Sequence, residues 1–210
     1  MTTPKPAVRR GRPPKIAREH ADTREALLHC GMEILTEQGF SATGIDKVLK
    51  RIQVPKGSFY HYFDSKEAFG QAVLQHYAQY FARKLDRWLR DSQVPPLLRV
   101  GLFVEDAKAG MTKYHFRRGC LVGNLGQEVE ILPDSFRQAL EAVLIDWQNR
   151  LAACFEEAVQ LGELPAEVDC QGLSAYFWIG WEGAVQRARL VQNVQPLDVF
   201  LRGFLAGLPR

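Results

Sequence analysis

Residues 23–63 contain three short segments with helical spacing, separated by turn residues, and this stretch constrains the fold more than any other part of the chain. Apolar residues recur on one face from Thr23 onward, which predicts a first helix that ends at Gly39. Thr43 followed three residues later by Asp46 predicts a capping box that opens a short second helix.

A proline separates the second helix from a third. Pro55 disfavours helical geometry in the residue before it, so we predict a third helix from about Lys56 to Tyr62. Asp64 is then expected to cap a fourth helix. Three short helices with a tight turn between the second and the third form a helix-turn-helix, whose last helix enters the major groove of DNA.

The third predicted helix has side chains suited to DNA contact. Phe59 and Phe63 lie four residues apart, so we expect both to anchor the helix to the core. Lysines suit phosphate contact and glycine permits close backbone approach, whereas tyrosine and histidine suit base edges. The DNA-contacting residues predicted for this domain are Thr43, Lys47, Lys56, Gly57, Ser58, Tyr60, His61, Tyr62 and Lys66.

A basic arm precedes the first helix. Residues 1–20 contain six lysines or arginines against a single glutamate. A segment so basic and so poor in apolar residues is expected to be disordered alone and to bind a polyanion. Because Arg-Gly-Arg-Pro at residues 10–13 is similar to the core of an AT-hook, we predict that Arg9, Arg10 and Arg12 contact DNA. The alternative interpretation is a solubilising tail.

The run VPKGSFYHYFDSKE at residues 54–67, preceded by Gly39-Phe40 and Thr43, resembles the DNA-binding signature of the TetR family of bacterial repressors. The resemblance covers residues 22–69. It implies an all-α homodimer that binds double-stranded DNA at a near-palindromic operator and is released when a small-molecule inducer occupies the C-terminal domain. A purely structural helical hairpin is the alternative.

The rest of the chain shows helical spacing and no sustained strand alternation. Residues 66–92 are predicted to form one long amphipathic helix that belongs to both domains and can act as a lever. Counting further helices between prolines and glycines gives about nine in total. We expect an all-α fold in three parts: a disordered basic arm (1–20), a helix-turn-helix DNA-binding domain (21–66), and a ligand-binding and dimerisation domain (67–210).

Two long predicted helices, at about residues 134–161 and 169–191, indicate a dimer, and the second is the more informative. It is apolar nearly all round, so both of its faces should be covered. Gly180, Gly183 and Ala184 would allow close helix approach, as in a four-helix bundle made by two protomers. A helix buried on all sides within a monomer is the alternative.

Candidates for a ligand cavity are aromatic residues and the few polar groups on apolar helices. Aromatic residues at helical spacing belong more often to a core than to a cavity. Polar groups are costly to bury without partners, so they mark either a wet cavity or a dimer seam. The predicted ligand-binding or sensing residues are Tyr77, Phe81, Cys120, Asn124, Gln127, Trp147, Trp178, Trp181, Glu182 and Arg189.

Two further stretches, RRGCLVGNLGQE at residues 117–128 and WIGWEGA at 178–184, are similar to an acrylate-responsive member of the TetR family. Gly119-Cys120-Leu121 is also similar, more distantly, to the sensing-cysteine element of a member that responds to N-ethylmaleimide, although Arg189 stands where that member has a lysine. This resemblance implies a sensing role for Cys120. Cys120 follows two arginines and begins a predicted helix, and both features favour the thiolate. The alternatives are a small buried hydrophobe at this position and reversible inducer binding with no covalent step. An acidic inducer would need a cationic partner such as Arg187 or Arg189.

Other functional classes find no support in the sequence. No stretch approaches the roughly 18 apolar residues of a membrane span, and the basic N-terminus has no apolar run behind it, so we expect a cytoplasmic protein without a membrane partner. The four cysteines and five histidines show no metal-ligand spacing, and no cofactor is expected. Nucleophile and phosphate-loop motifs are missing, which argues against an enzyme. An architectural DNA-binding protein without an inducer is the remaining alternative.

Overall fold

The computed structural model describes residues 20–209, with side chains from residue 22, and this part of the chain forms nine α-helices and no strand. The prediction of an all-α fold with about nine helices is confirmed. Of the predicted arm (residues 1–20), only His20 is among the described residues, so Arg9, Arg10 and Arg12 lie outside them. The helices are α1 (His20–Gln38), α2 (Ile45–Ile52), α3 (Lys56–Phe59), α4 (Lys66–Leu89), α5 (Pro96–Lys113), α6 (Leu121–Gln127), α7 (Ser135–Gln160), α8 (Cys170–Val191) and α9 (Gln195–Ala206).

Gly39 ends α1 as predicted, since its φ of +80° places it in the left-handed region that glycine adopts without a steric penalty. The predicted cap of α2 is wrong. The N-cap residue is Gly44, and it makes no side-chain cap hydrogen bond. The Thr43 hydroxyl instead donates to the Gly39 carbonyl oxygen at 2.7 Å, so it braces the turn between α1 and α2.

Two further boundaries differ from the sequence prediction by a few residues. The third helix ends at Phe59 rather than Tyr62, because the chain continues as a turn in which His61 N–H donates to the Ser58 carbonyl at 3.3 Å. The cap of α4 is Ser65 rather than Asp64, since the Ser65 hydroxyl accepts from Ala68 N–H at 3.0 Å.

The long helix α4 packs against α1 on one side and against α5 and α7 on the other, so it connects the two halves of the chain as expected. Its C-terminal end is held by Arg99, whose guanidinium donates to the Leu89 carbonyl at 3.0 Å. Arg99 also makes two hydrogen bonds to the Glu157 carboxylate, at 2.6 and 2.7 Å. The arginine therefore fixes the ends of α4, α5 and α7 to one another.

Helices α7 and α8 form the main pair of the C-terminal region, and α9 packs on α8. Gly180 serves this packing, because a Cβ at that position would overlap the Phe200 ring of α9. Its small size accommodates a neighbour in the same chain, whereas Gly183 has open space beside it. No helix within residues 20–209 combines the length and the hydropathy of a membrane span.

Candidate DNA-binding surface and ligand cavity

Two buried phenylalanines fix the orientation of α3. Phe59 and Phe63 contact Phe69 of α4, with ring centroids 5.4 and 5.1 Å apart. Their burial turns the other side chains of this segment outward, and Tyr60 is 52% exposed. Of the predicted DNA-contacting residues here, Lys56, Gly57, Tyr60 and His61 are exposed, and Ser58 and Tyr62 are partly buried.

The remaining predicted DNA-contacting residues differ in how accessible they are. Lys47 is exposed and donates a hydrogen bond to the side chain of Gln38. The Lys66 ammonium lies 4.4 Å from the centroid of the Phe40 ring, at the edge of the same surface. Thr43 is only 2% exposed and its hydroxyl is already bonded, so its expected DNA contact is not available to the side chain in this arrangement.

A cavity of about 250 Å³ lies between the helix-turn-helix region and the C-terminal helices. Most of its wall is aromatic or apolar, and four of the predicted ligand residues line it. These four are Tyr77, Phe81, Cys120 and Trp181. The cavity is also lined by Lys84 and Arg118 and by four residues of α1: His29, Met32, Glu33 and Thr36.

Cations lie on the cavity wall. The guanidinium of Arg118 pairs with Glu33 at 3.1 Å and with Glu37 at 2.8 Å, both on α1, and lies 4.1 Å from the centre of the Tyr114 ring. The Lys84 ammonium pairs with Asp106 at 2.7 Å. The cationic groups of this cavity are therefore Arg118 and Lys84 rather than Arg187 or Arg189.

A second, more polar cavity of about 220 Å³ lies between α6 and α8. Cys120 lines both cavities. The other predicted residues that line the second cavity are Asn124, Gln127, Glu182 and Arg189. The structure therefore separates the predicted ligand residues into an aromatic set and a polar set that share one cysteine.

Two predicted ligand residues line neither of these two cavities. Trp147 and Trp178 are buried, and their ring centroids lie 5.2 Å apart. Trp147 also packs on Phe81, with centroids 4.4 Å apart, so the two indoles support the cavity wall from behind. They belong to the aromatic core, which is the more common position for aromatic residues at helical spacing.

The predicted thiolate at Cys120 is wrong. The side chain is buried, and burial together with the nearby Glu182 carboxyl raises the pKa of the thiol well above its usual value. Arg117 is exposed and Arg118 is paired with α1, so neither guanidinium contacts the sulfur. The Tyr77 hydroxyl and the Gly123 N–H donate to Sγ, at 3.9 and 3.4 Å.

Glu182, whose carboxyl is a neighbour of Cys120, is itself buried. Burial raises the pKa of its carboxyl to about 7. Its Oε1 atom is buried without a hydrogen-bond partner. A neutral carboxyl is the form that burial favours here, because the charged form loses more solvation.

The contribution of α1 to the cavity was not predicted from the sequence. His29, Met32 and Thr36 recur at spacings of three and four residues, which defines a second face of α1 beside the one that packs in the helix-turn-helix core. That spacing was visible in the sequence, but only the fold shows which helices the second face meets.

Comparisons with known proteins agree with this architecture. The family model described as "Bacterial regulatory proteins, tetR family" matches residues 27–73, and the model "Tetracyclin repressor-like, C-terminal domain" matches residues 96–204. The chain belongs to the TetR family. It is therefore a transcriptional regulator and not an enzyme.

Individual relatives extend the match over nearly the whole chain. The transcriptional regulator AcuR of Cereibacter sphaeroides is 50% identical over 93% of this chain and 89% of its own length. The transcriptional repressor NemR of Escherichia coli is 40% identical over 86% of this chain and 90% of its own length. A crystal structure of a TetR regulatory protein from Rhodobacter sphaeroides superposes with a TM-score of 0.85 at 50% identity, covering 88% of this chain and 97% of that one.

Proposed function

We propose that this regulator is a repressor that binds a palindromic operator as a homodimer and releases it when a small molecule enters the aromatic cavity. The observation that carries the proposal is the position of that cavity, because its wall includes α1, a helix of the DNA-binding domain. A molecule in the cavity therefore touches the domain that would bind DNA.

The exposed residues of α3 and the turn after it support operator binding. Lys56 would contact phosphate, and Tyr60 and His61 would contact base edges in the major groove. The basic residues Arg9, Arg10 and Arg12 would extend this contact into the minor groove, in keeping with their predicted AT-hook-like sequence.

An exposed apolar stripe on α8 supports the homodimer. Tyr176, Ile179 and Leu190 recur along one face of the helix, and Ile179 and Leu190 are 76% and 77% exposed. Large apolar side chains so strongly exposed on one helix face favour a protein interface. Two protomers are also needed to place recognition helices in half-sites about 34 Å apart.

The dimer is tested by sedimentation velocity of Ile179→Glu beside Ile131→Glu, which changes an equally exposed isoleucine off the stripe. We expect the first variant to be monomeric and the second to be dimeric. Two dimeric variants would contradict the α8 interface.

The aromatic cavity indicates the kind of inducer. A volume of about 250 Å³ suits a small molecule. The flat apolar part of the inducer would lie against Phe81 and Trp181, and its acidic group would reach Arg118 or Lys84. Acrylate or a related unsaturated acid has this chemistry. Because the pKa of Cys120 is raised, we propose reversible binding rather than covalent addition to the thiol.

An inducer must bind the DNA-incompetent arrangement more tightly than the competent one, since equal affinities would shift no population. Release would then follow from movement of α1 and α4 relative to each other, which changes the separation of the two recognition helices in the dimer.

Operator selection from random duplexes, followed by footprinting with and without acrylate, tests the proposal. We expect a site-specific footprint that acrylate removes, equally in the wild type, in Cys120→Ala and in the control Cys154→Ala, a buried cysteine of α7. No specific footprint would refute the repressor, and a footprint insensitive to acrylate would refute this inducer. Release that Cys120→Ala alone abolishes would contradict reversible binding.

A further inference from the structure

Glu128, just after α6, joins the C-terminal region to the helix-turn-helix. Its two carboxylate oxygens accept from Phe40 N–H at 3.0 Å and from Ser41 N–H at 2.7 Å. These two amides begin the turn between α1 and α2. Hydrogen bonds to a charged acceptor are among the stronger ones, and two of them on adjacent amides fix the orientation of the turn.

Gly39 makes this close approach possible. A Cβ at residue 39 would overlap Glu128 Oε1. The glycine that ends α1 therefore has a second role, because it allows the carboxylate to lie directly against the backbone of the turn.

Asn124, one helical turn before Glu128, makes a parallel connection. Its side-chain amide donates to the Thr36 carbonyl of α1 at 2.6 Å, and its Oδ1 accepts from Arg189 of α8 at 2.6 Å. Asn124 thus bridges α8 to the last turn of α1.

Cys120, Asn124 and Glu128 are spaced four residues apart, and residues at that spacing lie on one face of a helix. Cys120 lines both cavities, whereas Asn124 and Glu128 hydrogen-bond to the end of α1 and to the turn after it. One short element therefore touches the ligand cavity and the DNA-binding domain at the same time.

We propose that Glu128 and Asn124 are positioning residues that hold the helix-turn-helix in its operator-binding orientation through their hydrogen bonds to the end of α1 and to the turn at Phe40 and Ser41. This inference rests on the proposed function and adds to it the contacts that orient the DNA-binding region.

The experiment compares Glu128→Gln with Glu130→Gln, which changes an 85% exposed neighbouring carboxylate that pairs with Arg137. Binding to the selected operator and to a random duplex is measured for each, with amide hydrogen exchange at Phe40 and Ser41. We expect Glu128→Gln to weaken operator binding about tenfold and to lose protection at the amide that then faces the NH2 group, with binding to random DNA unchanged. Glu130→Gln should match the wild type in all three measurements.

Asn124→Asp provides an independent variant, because it keeps the acceptor for Arg189 and removes the donor to the Thr36 carbonyl. We expect the same selective loss of operator binding, with the thermal unfolding midpoint measured to confirm that each variant is folded. Wild-type operator affinity in both variants, or equal losses on operator and random DNA, would overturn the inference. A wild type that selects no operator would refute the proposed function, while exchange at Phe40 and Ser41 would still report whether Glu128 protects them.

Discussion

The helix-turn-helix region and the C-terminal region bury their polar side chains in different ways. In the first, the Thr36 and Thr43 hydroxyls are buried and each donates to a carbonyl four residues earlier. Within residues 22–209, the buried side-chain atoms without a hydrogen-bond partner all lie between residues 106 and 182: Asp106 Oδ2 (which is ion-paired with Lys84), Trp147 Nε1, Ser174 Oγ, Trp178 Nε1 and Glu182 Oε1.

Buried polar atoms without partners destabilise the arrangement that contains them. Such atoms therefore lower the stability of the C-terminal region, whereas none of them lies in the described helix-turn-helix residues 22–66. This difference suits a regulator in which one region presents a constant surface to DNA and the other changes when a ligand binds.

The largest effect is expected where the DNA-binding region is most tightly packed. Phe59→Ala removes a fully buried ring at the end of α3, and we expect the free energy of unfolding to fall by about 4 kcal/mol. Chemical denaturation measures this loss. A change under 1 kcal/mol would show that the buried Phe59 ring contributes little to the stability of this region.

A somewhat smaller effect is expected at the junction of the two regions. Gly39→Ala places a side chain in the left-handed region and displaces Glu128, so we expect a loss of about 3 kcal/mol. Gly162→Ala is the matched control, because Gly162 has a φ of +75° and open space around it. It should lose only about 1 kcal/mol by backbone strain. Equal losses would mean that the Glu128 contact contributes nothing.

The cost of burying one of these atoms, in Glu182, is measured by comparing the free energy of unfolding of Glu182→Gln and the wild type at several pH values. The pKa of Glu182 is raised to about 7 in the folded protein, so the folded state binds a proton more tightly than the unfolded one. Wild-type stability should therefore fall as the pH rises from 5 to 8, by about 2 kcal/mol from this group.

The glutamine variant lacks this ionisation, so its stability relative to the wild type should rise by about the same 2 kcal/mol over that range. Glu141→Gln, at an exposed position of α7, is the control and should show no such change. A pH-independent difference between Glu182→Gln and the wild type would contradict the buried neutral carboxyl.

The smallest change in stability is expected at Tyr60, next to Phe59. Because its side chain is half exposed, Tyr60→Ala should alter the free energy of unfolding by less than about 0.5 kcal/mol. The same variant should weaken operator binding more than binding to random DNA, as gel shifts at several salt concentrations will measure. Equal losses on the two DNAs would argue against base contact by this tyrosine.

Local signals in the sequence predicted most of the fold. Gly39, Pro96 and Gly162 lie at helix ends because their backbone restrictions act within a few residues, and Phe59 and Phe63 are buried as their spacing indicated. The cap at Thr43 was predicted wrongly, since its hydroxyl had a second available partner, the Gly39 carbonyl.

The site was less predictable, because its properties depend on distant residues. Two arginines before Cys120 suggested a thiolate, but Arg118 points to Glu33 and Glu37, about 80 residues earlier in the chain. The division of the predicted ligand residues into two cavities likewise depends on how α6 packs between α1 and α8, which no local pattern specifies.

The contribution of α1 to the cavity wall has a consequence for dose response. If operator binding and ligand binding require different placements of α1, each must weaken the other by the same factor. The half-maximal inducer concentration is then not a constant of the protein alone. A promoter with a stronger operator would need more inducer for derepression, so genes controlled by the same regulator would switch on in sequence as the inducer accumulates.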